Sequence, residues 1–167
     1  MTIETLFATE EITTTPRTIK FKQIKAVYEV FTVNEDITNY LKTGSRFTSP
    51  QQVYDTFAFL MKETKEMFIT CHLDGKNRII AMDIVSIGSL NQSIVHPRSV
   101  FQTACLSNAA AIICIHNHPT GDPTPSSEDI SITRRLKEAG ELMGIKILDH
   151  IIIGQDEYLS FVERGLL

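Results

Sequence analysis

Residues 109–115 read AAAIICI, an unbroken apolar run with no polar side to turn toward water. A helix crossing a bilayer needs about 20 apolar residues, so this run is far too short to span a membrane. Its length suits a central strand buried on both faces, and such a strand forms only where other layers cover it above and below. With 167 residues, 43% of them hydrophobic, the chain is the size of one domain and can bury a real core.

The flanking segments supply the covering layers. Residues 1–18 read as a loosely attached arm, and IKFKQIKAVYEVF, rich in β-branched and aromatic residues, reads as a strand. Its Lys20, Lys22 and Lys25 are read as a solvated face rather than a phosphate patch. At TSPQQ, Ser49 fits an N-cap, Pro50 the first helical position and Gln52 the third position of a capping box, which predicts a helix over 50–64. EMFITCHLDGKNRIIAMDIVSIGS reads as a β-hairpin turning at Asp74-Gly75-Lys76-Asn77. A second helix starts at Pro97, ahead of the buried strand. Ile132, Leu136, Ala139 and Met143 recur at steps of four and three, the packing face of a third helix that Gly144 can end. IKILDHIIIG is a further strand, and EYLSFVERG closes the chain as a short helix or strand that pattern alone does not separate. Alternating strands and helices around a mixed sheet predict a single α/β domain over 19–167, with its core at about 49–165.

A net charge of -4 offers no general attraction to nucleic acid or anionic lipid, so any DNA contact would have to be local. Cys71, Cys105 and Cys114 are odd in number and form no C-x-x-C pair, which argues against a disulfide framework or a cysteine zinc site and suits a reducing compartment. The acidic, Thr-rich beginning lacks the features of a secretory signal, and a cytoplasmic protein is expected.

The buried run ends in HNHPTGDPTPSSED, residues 116–129. Residues two apart on an extended chain point to one side, so the imidazoles of His116 and His118 can converge. Ser126 fits the N-cap of the third helix, and Asp129 falls in its first turn, where the helix dipole favours a carboxylate. Gly121 permits backbone angles that other residues avoid, while Pro119, Pro123 and Pro125 restrict the loop between. Two imidazoles and a carboxylate suit zinc with a fourth position open, as in catalytic sites. A Pro-rich turn followed by an ordinary Ser-x-x-Asp cap is the plainer reading of the same letters. Hydrolysis at such a site needs a proton carrier. Glu66, at the head of a strand, is a candidate, although spacing alone does not separate it from a solvent-exposed junction residue such as Glu63.

Together, Glu66, the run His116-Asn117-His118-Pro119, Ser126 and Asp129 resemble the signature of the RadC-like branch of the JAB/MPN (JAMM) metalloprotease domains. HNHPTGDPTPSSEDISIT and ILDHIIIG extend the match across nearly the whole domain. The resemblance implies a JAB/MPN-like mixed sheet flanked by helices and a zinc-dependent peptidase or isopeptidase. His116, His118 and Asp129 are implied as Zn2+ ligands and Glu66 as the general acid/base acting on zinc-activated water. Ser126 is implied as a donor to the oxyanion. Ser99 and Thr120 depart from the family's usual Glu and Ser, at positions that are not ligands. Longer RadC proteins carry an N-terminal helix-hairpin-helix region, and nothing in residues 1–48 looks like it, so the DNA-repair association of the family name is not expected to transfer.

Asp149 and His150 belong to the RadC-like run, but His150, set in an apolar strand, reads as a hydrogen-bonded core residue, as do His72 and His96. The expected partner is a protein or peptide substrate, with no membrane. The competing function is a non-catalytic binding or accessory module linked to DNA repair or mobile elements, since a fold can keep its scaffold and lose its chemistry.

Overall fold

The computed structural model describes Val27, residues 45–88 and residues 95–167; the expected arm and the strand expected after it otherwise lie outside the described residues. Among the described residues, one mixed sheet is built from β1 (Glu66–Leu73), β2 (Ile79–Gly88), β3 (Ala111–Asn117), β4 (Lys146–Ile153) and β5 (Tyr158–Ser160). Their spatial order is β2-β1-β3-β4-β5. β3 pairs antiparallel with β1 and parallel with β4, and the α-helix α3 (Ser127–Met143) makes the crossover that a parallel pair requires. The helices α1 (Pro50–Phe57) and α2 (Pro97–Leu106) complete the α/β arrangement expected from the alternating pattern. No helix among the described residues is long and apolar enough to cross a membrane.

β3 is buried at every position, so its two faces feed two cores. Ile113 and Ile115 join Val53, Phe57 and Leu60 on one side. Ile112 and Cys114 join Phe101, Ala104 and Leu136 on the other. Because side chains alternate along a strand, His116 continues the row of Ile112 and Cys114. On β1 the same parity places Glu66 in the row of Phe68, and Phe68 stands directly across from His116. On β4, His150 is in register with Cys114. Glu66, His116 and His150 thereby share the sheet face that α3 covers.

Several boundaries differ from the pattern. The helix expected over 50–64 is α-helical only to Phe57 and then tightens into a 3-10 segment, Ala58–Lys62. A 3-10 turn stacks residues three apart, which seats both Phe57 and Leu60, each fully buried, on the sheet. The expected capping box is half formed: Ser49 Oγ accepts from the Gln52 amide, but Gln52 Oε1 accepts from the amide of Thr48. The hairpin turn forms where expected, with Asn77 in the left-handed region (φ 57) and Asp74 Oδ1 accepting from the amides of Lys76 and Arg78. The undecided segment after residue 157 is a strand, because Tyr158–Ser160 pairs with β4 before the chain turns. α3 ends at Gly144 with φ 69, as expected. His96 is exposed and caps α2 by accepting from the Arg98 amide, so it is not the core residue expected of it. His72 is such a residue, buried between the hydroxyls of Thr70 and Ser107.

Leu136 is 0% exposed under α3, whereas Leu142 on the same helix is 89% exposed. Leu136→Ala is expected to lower stability by about 2–5 kcal/mol, and Leu142→Ala to change it by no more than about 0.5 kcal/mol. Urea denaturation of the two variants checks this; equal midpoints would mean that α3 is not held to the sheet through Leu136.

Candidate metal centre

The parity of β3 delivers His116 to the α3 face, and the loop beyond it delivers His118. The chain stays pinned to β4 for one more step, since the His118 amide donates to Ile153 O at 2.9 Å. The turn that follows needs Gly121, whose φ is 87, and its carbonyl accepts from the Gln155 amide at 2.7 Å. On the other side of this contact a Cβ at Gly154 would strike the Gly121 carbonyl and reach Pro123 Cδ at 2.7 Å, so only glycine lets the two loops close together. The loop then enters α3 through a full capping box. Ser126 Oγ accepts from the Asp129 amide at 3.1 Å, while Asp129 Oδ2 accepts from the Ser126 amide at 2.8 Å and from Ser126 Oγ at 2.6 Å.

These elements bring together the four residues expected as ligands and proton carrier. Glu66, His116, His118 and Asp129 each offer an atom such that all four lie within 4.8 Å of one another. His116 Nε2 is 3.0 Å from His118 Nε2 and 3.2 Å from Asp129 Oδ1, and His118 Nε2 is 3.4 Å from Asp129 Oδ2. Donors about 2.0–2.2 Å from a tetrahedral zinc stand roughly 3.3–3.6 Å apart, and the two imidazole nitrogens, with the Asp129 carboxylate facing one through Oδ1 and the other through Oδ2, lie close to that spacing. Glu66 Oε1 stands farther off, 4.0 Å from His116 Nε2. The donors are two imidazoles and a carboxylate, which fit zinc chemically as well. His118 Nδ1 lies 2.7 Å from the Asp122 carbonyl, which can only accept; a hydrogen therefore sits on Nδ1, and in the neutral ring that a cation requires the Nε2 lone pair faces the cluster.

Electrostatics separates the two carboxylates. Burial pushes the Glu66 carboxyl above the ordinary range, with Asp129 adding to the rise and the two histidines opposing it. Burial acts in the same direction on Asp129, but hydrogen bonds from His116, His118 and Ser126 outweigh it and hold this group well below the ordinary range. On His118, burial favours the neutral form, yet the hydrogen bonds to Asp129 and to the Asp122 carbonyl win and raise its pKa. Burial drives His150 well below its ordinary value, so it is a neutral imidazole.

Two supports of this cluster carry no signal at the level of spacing. Asn117, between the histidines, is buried and reaches sideways to β1: its Oδ1 accepts from the Met67 amide at 2.8 Å and its Nδ2 donates to Lys65 O at 3.1 Å. It thereby grips the backbone on either side of Glu66. His150, fully buried, lies with Nε2 2.8 Å from His116 Nδ1 and Nδ1 2.6 Å from Thr133 Oγ1. It is the hydrogen-bonded core residue expected, and its partner is a residue of the cluster. Asp149 serves the C-terminal turn instead, accepting from the amides of His150 and Val162 and from Ser160 Oγ.

Comparison with known proteins agrees with the architecture. A family model for the RadC-like JAB domain matches residues 47–166. A UPF0758 protein of Pelobacter propionicus is 66% identical over 128 residues, covering 76% of this chain and 56% of its own length. One from Geotalea uraniireducens is 63% identical over 145 residues, 86% of this chain and 63% of its own. UPF0758 protein GSU0386 of Geobacter sulfurreducens is 53% identical over 152 residues, 90% and 66% respectively. The chain thus spans between 56% and 66% of the length of these relatives, whose names state no activity.

Asn117→Ala would leave the Met67 amide and Lys65 carbonyl without their side-chain partner. A loss of about 1–3 kcal/mol in stability is expected, with faster hydrogen exchange at the Met67 amide. Unchanged exchange at Met67 would show that the strand around Glu66 is held by something else.

Proposed function

The chain belongs to the RadC-like JAB domain family, and from that premise we propose that it is a zinc-dependent metallohydrolase that cleaves peptide or isopeptide bonds in a protein or peptide substrate. The observation that carries this reading is the spacing of His116, His118 and Asp129, with a carboxyl of opposite electrostatic character just outside the set. His116, His118 and Asp129 would hold the ion and leave a position open for chemistry. Bound zinc would supply Lewis acidity, polarising a scissile carbonyl and easing the loss of a proton from water.

The chain's own residues divide the remaining work. Asp129 stays ionised, because its hydrogen bonds favour the charged form. Glu66, with its raised pKa, is suited to take a proton from the attacking water and return it to the leaving amine. The Asn117 grip fixes where that carboxyl stands. Ser126 Oγ spends its hydrogen on Asp129 Oδ2 in this structure, and a turn of its hydroxyl would aim that hydrogen at a developing oxyanion. The three cysteines are free, and the buried thiols of Cys71 and Cys114 are pushed up to about 12 by burial. Inert thiols and free cysteines support a cytoplasmic setting.

Elemental analysis of protein purified without added metal is expected to find about one zinc per chain in wild type, lost in His116→Ala and in Asp129→Ala. Glu66→Gln is expected to keep the zinc and to cleave a mixed peptide library about 10²–10⁴-fold more slowly, read by mass spectrometry. A wild type that takes up no zinc even when it is supplied would overturn the metal reading. Undiminished cleavage by Glu66→Gln would remove Glu66 from the proton-carrying role.

A further inference from the structure

We propose that His150 and Thr133 are positioning residues that decide which nitrogen of His116 faces the metal centre; the inference rests on the reading of His116 as a ligand. His116 is 1% exposed and His150 0%, so water cannot complete either ring's hydrogen bonding. Their nitrogens, His116 Nδ1 and His150 Nε2, are 2.8 Å apart. A neutral imidazole carries one N–H and one lone pair, so across that contact one ring donates and the other accepts. The contact alone is symmetric; its polarity is set farther along the chain of hydrogen bonds.

Thr133 lies one turn beyond Asp129 in α3, and its hydroxyl is 2.6 Å from the carbonyl of Asp129, four residues before it. A carbonyl only accepts, and a helical threonine ordinarily donates to the carbonyl four residues back. With its hydrogen committed there, Thr133 Oγ1 accepts from His150 Nδ1–H at 2.6 Å. His150 Nε2 is then the lone-pair nitrogen and accepts from His116 Nδ1–H. A neutral His116 is left with its lone pair on Nε2, the atom 3.0 Å from His118 Nε2 and 3.2 Å from Asp129 Oδ1. The opposite polarity would put a hydrogen on His116 Nε2 and aim an N–H at the place where a cation must sit.

The circuit is closed in space. It leaves the backbone of Asp129, crosses β4 at His150 and returns at His116 to the carboxylate of Asp129 itself. The helix that carries one donor therefore sets the tautomer of another donor on a different strand. Partners of this kind fix ring orientation, and their loss typically weakens metal binding about 10–100-fold.

Two measurements test this on the intact chain. Nitrogen-15 NMR of the histidine rings in metal-free wild type should find a hydrogen on Nδ1 of both His116 and His150 and none on His150 Nε2; a hydrogen on His150 Nε2, or none on His116 Nδ1, would overturn the polarity argued above. Competition for zinc with a chromophoric chelator should find affinity about 10–100-fold weaker in Thr133→Val, which keeps shape and removes the acceptor, and in His150→Leu. His150→Gln can accept from His116 and donate to Thr133, and it should recover most of the loss. Because the two residues act through one chain, Thr133→Val in the His150→Leu background should add little. Thermal melts of the metal-free variants identify any that fail to fold; Thr133→Val and the wild-type tautomers decide the matter if His150→Leu is among them. Wild-type affinity in Thr133→Val and His150→Leu, with His116→Ala unable to bind, would overturn the positioning role and leave the ligand set standing. No zinc uptake by wild type would overturn the ligand set, and this inference with it.

Discussion

β3 is covered on both faces and paired on both edges, and the rest of the molecule is arranged around that burial. A strand so enclosed can end in polar residues only if their partners are built in, because an unsatisfied polar group in such surroundings is costly. The partners come from the neighbours that the sheet itself supplies. β1, antiparallel, brings its first residues, among them Glu66, to the end of β3. The loop from β3 folds back over β4, and α3 begins at the same end as it leaves that loop. Among the described residues, no buried side-chain nitrogen or oxygen lacks a hydrogen-bond partner.

Alternation along the strands then sorts chemistry from packing without further devices. Residues of one parity on β1 and β3, such as Ile69, Cys71, Ile113 and Ile115, fill the core under α1. The other parity contributes Phe68, Ile112 and Cys114 to the core under α2 and α3, and the same row ends in His116. A slip of one residue in the pairing of β1 with β3 would turn Glu66 to the opposite face. The register of the hydrophobic cores and the assembly of the polar cluster are therefore one constraint. Asn117, whose parity is opposite to that of His116, spends its side chain on the neighbouring strand and reinforces that same register.

Much of this was legible in the amino-acid order because it is local. The apolar run of β3, the Ser126 cap, the Asp129 position in the first turn and the Gly144 stop are each fixed by residues within a turn or two. Glu66 was not separable from Glu63 by pattern, since what distinguishes it is parity on a strand whose register is set by long-range pairing. Asn117 bridges to residues fifty and more positions away, and His150 reaches His116 across thirty-four; no spacing rule encodes either. α1 ends before its pattern does because the helix pattern extends through residues whose tertiary packing prefers a tighter turn. His96 departs from the core reading because a histidine beside a helix-start proline can cap the helix from the surface.

The distribution of support around the cluster bears on whether it is a site or only a scaffold. A polar plug that served stability alone would need its groups satisfied and nothing more, and apolar replacements of similar volume would often serve as well. Here the chain invests in orientation. His118 has its Nδ1 proton fixed by a backbone carbonyl, His116 has its own fixed through His150 and Thr133, and Asp129 is fixed by both the amide and the hydroxyl of Ser126. The two histidine contacts engage the ring nitrogen away from the cluster, and those to Asp129 gather on Oδ2 and leave Oδ1 to face His116. Glu66 is treated differently: its backbone is held through Asn117, and its carboxyl stands off at 4.0 Å from His116. Three donors locked inward and one acid held beside them is the division of labour expected of a metal with a proton carrier.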